Sequence, residues 1–148
     1  MTAGENGKDK CVFCAIANKQ APAHVIREDD LSLALLDINP LSRGHCLVIP
    51  KRHVPWWHDM TEEETASVYL TARLVSQKLM KVYTPDFICQ YARGRRIPHT
   101  HIFLVPTFAG DVLDRFFNTI EIVQEGAGEL DSLRRPESLA DAARLLRG

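Results

Sequence analysis

The order of the predicted elements indicates an α+β domain with a largely antiparallel sheet. Strand-like runs come in two groups, three in the first half of the chain and two later, and a long helix separates the groups. The links within each group are short, and residues 39–44 in particular are rich in turn-forming types. Strands and helices segregated in this way are typical of α+β proteins.

The first half of the chain begins with a polar segment, residues 1–10, which we expect to be disordered. A short helix is predicted over 11–19. Three strands follow, and the sequence pattern places them at 24–28, 31–38 and 45–51.

The long helix is the best-marked element of the second half. Thr61 is followed three residues later by Glu64, and this pair predicts a capping box, which satisfies two backbone N–H groups at a helix N-terminus. Apolar residues recur at helical spacing as far as Pro85, which cannot continue a helix. The last two strands are expected over 87–91 and 99–105.

Two adjacent tryptophans, Trp56 and Trp57, lie in the loop before the long helix. We expect them to pack beneath that helix. The alternative is that they form part of a partner surface.

Residues 108–148 predict a helical extension. Asp111 suits the N-cap of one helix, and Pro136 suits the first turn of another. We therefore expect a domain over 11–107 and a C-terminal extension of two helices packed on it.

Composition and charge argue against several classes of protein. The chain has 148 residues with 18 Lys and Arg against 19 Asp and Glu, a formal net charge of −1. That balance disfavours nucleic acid and anionic membranes as partners. No apolar run approaches the roughly 18 residues that a membrane span needs, and the N-terminus lacks the apolar core of a signal peptide. We expect a cytoplasmic protein with reduced cysteines.

Cysteine and histidine are the residue types that point to chemistry. Cys11 and Cys14 form a C-x-x-C pair, and His99 and His101 share one predicted strand and face the same side of it. Two thiolates and two imidazoles are the ligands of a tetrahedral zinc site, although spacing alone does not choose among the six histidines. The alternatives are metal-free helix cysteines and a structural histidine pair. A redox C-x-x-C is disfavoured, because only a polar tail precedes it.

Four segments together resemble the histidine triad (HIT) family of nucleotide hydrolases and transferases. They read Cys-Val-Phe-Cys-Ala-Ile at 11–16, Leu-Leu-Asp-Ile-Asn-Pro at 35–40, Gly-His-Cys-Leu-Val-Ile-Pro-Lys-Arg-His at 44–53, and Pro-His-Thr-His-Ile-Phe-Leu-Val-Pro at 98–106. The resemblance implies a HIT-like fold, in which a five-stranded antiparallel sheet pairs with that of a second copy in a homodimer.

The resemblance also implies a zinc site. Zinc-bearing members of the family hold the metal with residues that correspond here to Cys11, Cys14, His53 and His99. Four protein ligands leave no open position for substrate, so the implied role of the zinc is structural.

By the same resemblance, His101 is the nucleophile. It would attack the α-phosphorus of a purine nucleoside phosphoramidate or a (di)nucleoside polyphosphate and form a covalent nucleotidyl-His intermediate. The backbone carbonyl of His99 and the side chain of His45 are the implied orienting partners.

The implied nucleoside pocket draws on the first helix and the end of the second strand. Phe13 and Ile16 would contact the base, and Asp37 would accept hydrogen bonds from the ribose hydroxyls beside Ile38. Without the resemblance, Asp37 reads as a turn carboxylate at a strand end.

Two departures from the family pattern affect the predicted chemistry. Phe103 stands where the family has a third His that donates a hydrogen bond to the leaving group, so poor leaving groups should suffer most. The family's Gly-Gln-(Ser/Glu)-Val reads Gly-Arg-Arg-Ile at 94–97, and Gln90 is the nearest stand-in for a family Asn. Arg95 and Arg96 would clamp phosphoryl oxygens, or else form a solvated basic loop.

The sequence therefore supports two hypotheses. In the first, the protein is a nucleotide hydrolase or nucleotidyl transferase that works through His101. In the second, it is a zinc-stabilised nucleotide-binding module with little or no catalysis. The presence of His45, His99 and His101 together with Asp37 favours the enzyme, and Phe103 favours the binding module.

Overall fold

A computed structural model of the chain describes residues 10–148. These residues belong to two compact units, one that ends at Ala109 and one that spans Gly110–Gly148. Apart from Lys10, the tail expected over 1–10 lies outside the described residues. In the part of the chain that the structure describes, no helix is long and apolar enough to cross a membrane.

The first unit is built on a sheet, which has five strands within the described residues. Its elements are α1 (Val12–Ala17), β1 (Val25–Glu28), β2 (Ser32–Leu36), β3 (Cys46–Pro50), α2 (Glu62–Tyr83), β4 (Phe87–Tyr91) and β5 (Ile102–Thr107). The strand order is β1-β2-β3-β5-β4, and every neighbouring pair is antiparallel. The predicted fold class is confirmed.

The sheet separates two hydrophobic clusters. Alternate residues of its central strands point to opposite faces. One face packs on α2, and its cluster includes Ala34, Cys46, Val48, Val68, Val75, Ile102 and Leu104. The other packs on α1, and its cluster includes Phe13, Ile16, Leu33, Leu35, Leu47 and Ile49. Phe103 pairs with Leu47 and packs against the second cluster, so side chains on that face of β5 approach α1.

The predicted capping box begins α2. Thr61 Oγ1 accepts a hydrogen bond from the Glu64 N–H at 3.1 Å, and Glu64 Oε2 accepts one from the Thr61 N–H at 2.9 Å. The helix ends at Tyr83, and Thr84 then adopts a left-handed conformation just before Pro85.

Strand β5 begins at Ile102, three residues later than predicted. Thr100 donates both its N–H and its hydroxyl to the carbonyl of Val54, at 2.7 and 2.8 Å. The N–H of His99 donates to the carbonyl of Ile97 at 2.8 Å. Because these bonds tie the segment to the loop after β3, His99 and His101 precede the strand instead of lying within it.

The second unit contains one α-helix more than the two helices predicted. Its described α-helices are α3 (Val112–Gly126), α4 (Asp131–Arg134) and α5 (Pro136–Arg147), and a 3₁₀ helix spans Gly128–Leu130. Asp111 caps α3 by accepting a hydrogen bond from the Asp114 N–H at 2.9 Å, and Pro136 stands at the start of α5 as predicted. A single four-residue turn such as α4 is too short to show an apolar period in sequence.

Candidate active site and metal centre

Side chains from three separate parts of the chain meet at the start of α1. Cys11 Sγ lies 3.4 Å from Nδ1 of His99, and Cys14 Sγ lies 3.2 Å from Nδ1 of His53 and 3.5 Å from Nδ1 of His99. All four ligand atoms lie within 4.8 Å of one another. Ligand atoms around a tetrahedral zinc are about 3.3–3.8 Å apart, given bond lengths of roughly 2.0–2.3 Å. The donor types and their spacing therefore fit a zinc ion.

The local structure explains why the C-x-x-C pair faces one point. Cys11 is the N-cap of α1 and Cys14 lies in its first turn, so one helical turn brings both sulfurs to the same side. His53 approaches from the loop after β3, and His99 from the bent segment before β5.

His99 is held in the tautomer that a metal requires. Its Nε2–H donates to the carbonyl of Pro50 at 2.8 Å, which leaves Nδ1 unprotonated and directed at the thiols. The side chain is fully buried, and this burial lowers the pKa of His99 to about 4. The imidazole is therefore neutral at pH 7 and available as a ligand.

His101 has the opposite arrangement of ring nitrogens. Its Nδ1–H donates to the backbone carbonyl of His99 at 2.7 Å, so the neutral ring presents an unprotonated Nε2. The ring centroid of Phe13 lies 5.2 Å from that of His101 and 5.7 Å from that of His99. Phe13 therefore packs against both the metal centre and His101.

Phe103, at the third position of the expected triad, forms a stack with a second aromatic ring. Phe103 lies 5.0 Å from the ring of His101, and Tyr91 stacks on Phe103 at 4.7 Å. Burial raises the pKa of Tyr91, and the nearby charges of Cys89 and Asp37 add to the shift. The phenyl ring of Phe103 lacks the hydrogen-bond donor that a histidine would bring to this position.

The β4–β5 register places Tyr91, and not the expected Gln90, on the same face of the sheet as Phe103. Tyr91 pairs with Phe103, whereas Gln90 pairs with Leu104, which belongs to the α2 face. Gln90 therefore faces away from His101 and is not part of the candidate site. The sequence pattern does not identify Tyr91 as a site residue, because only the register shows which residue of β4 shares a face with Phe103.

His45 is buried beside this stack. It follows Gly44, whose φ is +86° and where a Cβ would lie 2.4 Å from Cε2 of Tyr83, so only glycine fits. Nδ1 of His45 accepts the Leu41 N–H at 3.1 Å. Its Nε2 has no hydrogen-bond partner among the described residues and lies 3.5 Å from Oδ2 of Asp37. Burial lowers the pKa of His45, and the Asp37 carboxylate opposes that shift to a smaller extent.

Comparison with known protein families agrees with this geometry. The model of the HIT domain matches residues 18–110. The chain belongs to the HIT family. The resemblance stated from the sequence is thereby confirmed, and Cys11 and Cys14 lie just before the matched region.

Similar proteins place this HIT chain in context. It is 35% identical over 111 residues to adenylylsulfatase HINT3 of Arabidopsis thaliana, a match that covers 72% of this chain and 56% of that protein. It is 34% identical over 101 residues to adenosine 5′-monophosphoramidase hnt1 of Schizosaccharomyces pombe, covering 65% of this chain and 73% of that protein.

A solved structure bears on the metal. The crystal structure of a zinc-bound histidine triad family protein from Mycobacterium smegmatis superimposes with a TM-score of 0.66 at 34% identity, covering 72% of this chain and 81% of that chain. Together with the geometry of Cys11, Cys14, His53 and His99, this confirms the prediction of a zinc-bearing HIT protein.

The expected nucleoside residues of the HIT domain occupy different environments. Asp37 accepts the Asn39 N–H through Oδ1 at 2.7 Å, so it does act as a turn carboxylate. Ile38 is 90% exposed, whereas Ile16 is buried in the α1 cluster and offers little free surface. The roles assigned to Asp37, Ile38, Phe13 and Ile16 stay predictions.

In the basic loop before His99, Arg93 lines a cavity beside His101, whereas Arg95 and Arg96 are not among its lining residues. Arg95 and Arg96 are exposed. This cavity, of about 100 Å³, begins at His101. Arg93 and Gly94 line one wall of this cavity, and residues 55–58 line the other. No sequence pattern indicates this wall, because it depends on two loops that are distant in the chain.

The two tryptophans of that wall are not packed beneath α2 as predicted. Trp56 is 45% and Trp57 50% exposed, and both line the cavity beside His101. The hydrogen bonds from Thr100 to Val54 hold this loop next to the histidine segment.

Proposed function

We propose that the protein is a nucleotide hydrolase or nucleotidyl transferase that acts at the α-phosphate through His101. The observation that carries the proposal is the 2.7 Å hydrogen bond from Nδ1–H of His101 to the carbonyl of His99, because it leaves Nε2 as the nucleophilic nitrogen. Membership of the HIT family and the activities named for its relatives, an adenylylsulfatase and an adenosine 5′-monophosphoramidase, support nucleotide hydrolysis in general.

The proposed reaction has two displacements. In the first, the Nε2 lone pair of His101 forms a bond to the α-phosphorus, and the bond from phosphorus to the leaving group breaks with its electron pair going to that group. In the second, a water or another acceptor attacks phosphorus and loses a proton, and the bond to Nε2 breaks with its electron pair returning to the ring. The products are a nucleoside monophosphate, or its transferred form, and the free leaving group.

The metal centre is proposed to support this chemistry by fixing the position of His99. Bound to Cys11, Cys14, His53 and His99, zinc would supply a closed structural centre with no open coordination position. The side chain of His99 is one of these ligands, and its carbonyl is the group that orients His101. A fixed His99 therefore fixes the direction of the His101 ring.

The nucleoside is proposed to lie on the α1 side of His101. Phe13 contacts the histidine ring directly and Ile16 supports it from the core, while Ile38 is free to cover a base. Asp37 uses Oδ1 for its turn but retains acceptor capacity for a ribose hydroxyl. Arg95 and Arg96, both exposed, are proposed to meet phosphoryl oxygens when substrate binds.

A second candidate function rests on the Phe103–Tyr91 stack. Because no proton donor faces His101 from Phe103, a substrate with a poor leaving group would bind and not react. In that case the protein is a zinc-stabilised nucleotide-binding module.

Release of AMP from an adenosine 5′-phosphoramidate with a fluorescent amine leaving group separates the two functions. The wild type should turn over, His101→Ala should lose at least about 10³-fold in kcat/KM, and His24→Ala should match the wild type, because His24 is an exposed histidine just before β1. If the zinc-loaded wild type binds AMP in calorimetry but releases none from the substrate, the binding module is correct. If it does neither, both functions are wrong.

A homodimer is also proposed from the family resemblance. Strands β1 and β4 are the two edges of the sheet formed by the described residues, so each has one side open for pairing with a second copy. Light scattering should give twice the chain mass at micromolar concentration. A single-chain mass would contradict the proposal.

A further inference from the structure

We propose that Trp56, Trp57 and Arg93 form a leaving-group subsite that selects nucleotides whose departing group carries a planar aromatic ring. The inference rests on the proposed function, since it states which substrates the His101 site accepts.

The subsite is a defined cavity that begins at His101. It measures about 100 Å³ and lies between the loop at 55–58 and the loop at 92–94. Its lining, as far as the described residues show, does not include Phe13 or Asp37. The cavity therefore lies apart from the proposed nucleoside side, yet both share the His101 ring.

The tryptophan wall is ordered and uncovered. Trp56 stacks on His58 with a centroid separation of 6.5 Å and an interplanar angle of 4°, and Trp57 meets the same ring edge-on at 5.8 Å. Trp56 also lies against the opposite loop, since a Cβ on Gly94 would be 3.8 Å from its six-membered ring. Half of each indole is nevertheless exposed. Ordered aromatic surface that is left uncovered beside a reactive group is suited to stacking with a flat ligand.

The direction of the reaction points the departing group at this wall. In an in-line displacement the leaving group lies on the far side of phosphorus from the attacking Nε2, so it leaves in the direction away from the imidazole. His101 and the two tryptophans line the same cavity, and the departing group is placed there. Arg93 lines the same cavity, and its guanidinium would offset negative charge as the bond to the leaving group breaks.

An aromatic leaving group also suits the missing proton donor. When an aryl ester is cleaved, the electron pair goes to a phenolate oxygen whose charge is delocalised into the ring, so no proton is needed at the moment of departure. An alkoxide has no such delocalisation. Phe103 withholds a hydrogen bond at the position from which a histidine would assist. The tryptophan wall and Phe103 thus favour the same substrates.

The test compares two adenosine 5′-phosphate diesters with leaving groups of equal pKa, one a phenol and the other a fluorinated aliphatic alcohol. Turnover is measured for the zinc-loaded wild type, Trp56→Leu, Trp57→Leu and the control Tyr69→Leu, which removes an exposed aromatic ring from α2. Each tryptophan variant should lose about tenfold in kcat/KM on the aryl ester, the size expected for loss of one stacking contact. The fluoroalkyl ester should change by less than twofold, and Tyr69→Leu should change neither.

Binding measurements keep the subsite testable if catalysis fails. In a His101→Ala background, calorimetry compares AMP, which lacks a leaving group, with the intact aryl ester. The tryptophan substitutions should weaken the aryl ester about tenfold and leave AMP unchanged. That result supports the subsite even if the wild type proves inactive, in which case only the hydrolase proposal is wrong. Equal losses for both esters in turnover, equal losses for AMP and ester in binding, or no loss at all would overturn the subsite.

Discussion

Two regions of the same short segment differ sharply in how they are built. The region of His99 is closed: four ligand atoms lie within 4.8 Å of one another, and the imidazole is fully buried. The region of His101 opens into a cavity between two loops, where the tryptophans are half exposed. A tetrahedral metal centre admits few ligand types and distances, whereas a cleft that faces a departing group can be built from many side chains. The chain accordingly matches the HIT pattern at its metal centre and departs from it at Phe103.

The two regions are joined by one backbone carbonyl. His99 offers its side chain to the metal centre and its carbonyl to Nδ1 of His101. Disturbing the closed region should therefore affect both stability and turnover, whereas disturbing the open region should affect turnover alone.

The largest effect is expected from Cys14→Ala in the closed region. Removing one thiolate should reduce bound zinc from about one ion per chain to below a tenth, and should lower the free energy of unfolding by roughly 3 kcal/mol or more. Elemental analysis and urea denaturation measure the two quantities. The control is Cys89→Ala, which removes a cysteine from β4 and should retain the zinc. Full zinc content in Cys14→Ala would show that these residues are not the ligands.

Phe103→His in the open region should give the next largest effect. An imidazole at this position would supply the missing hydrogen-bond donor, so turnover of an alkyl phosphoramidate should rise by about 10²-fold, near the lower end of typical general-acid contributions. The aryl ester should gain little. Phe103→Leu is the matched control, since it removes the ring without adding a donor. Equal gains for both substrates would contradict the role assigned to Phe103.

A pH effect is expected from His45, which is buried beside Phe103 and Asp37. Burial holds its folded-state pKa below the value of 6.5 for an exposed His, so the unfolded chain binds the proton first. Stability should therefore fall as pH decreases below about 6.5, and each such group adds a slope of at most about 1.4 kcal/mol per pH unit. His45→Gln should reduce this slope in urea unfolding between pH 7 and 5. An unchanged slope would mean that His45 is not buried in its neutral form.

The smallest effect is expected from Thr61→Ala, which lies outside both regions. Loss of the capping box should cost about 1 kcal/mol of stability and should be visible as a lower melting temperature. Zinc content and kcat/KM should be those of the wild type. A change in turnover would show that α2 communicates with the site, and the proposed separation of the regions would then be wrong.

The elements that depend on local chemistry were predictable from the sequence. The Thr61–Glu64 capping box and the strand group before α2 form as expected. The two cysteines of the C-x-x-C pair lie together with two histidines, as predicted. The choice of His53 and His99 as ligands required the family resemblance, because three well-separated segments supply the site and spacing along the chain does not report their distance in space.

Features that depend on tertiary contacts could not be predicted in this way. The period-two pattern placed His99 in a strand, but hydrogen bonds from Thr100 to Val54 draw that segment out of the sheet. Tyr91 faces the site only because of the β4–β5 register. Tryptophan is a residue type that usually packs in the core. Only the juxtaposition of two loops shows that Trp56 and Trp57 form a cavity wall.

The covalent nucleotidyl-His101 intermediate can be trapped and measured. The zinc-loaded protein is mixed with excess adenosine 5′-aryl phosphate, quenched in acid within the first turnover and digested for mass spectrometry. If His101 is the nucleophile, the peptide that contains it gains the mass of one adenylyl group, and His101→Ala yields neither this adduct nor AMP. Release of AMP without any adduct on His101, or an adduct on another residue, would contradict that role.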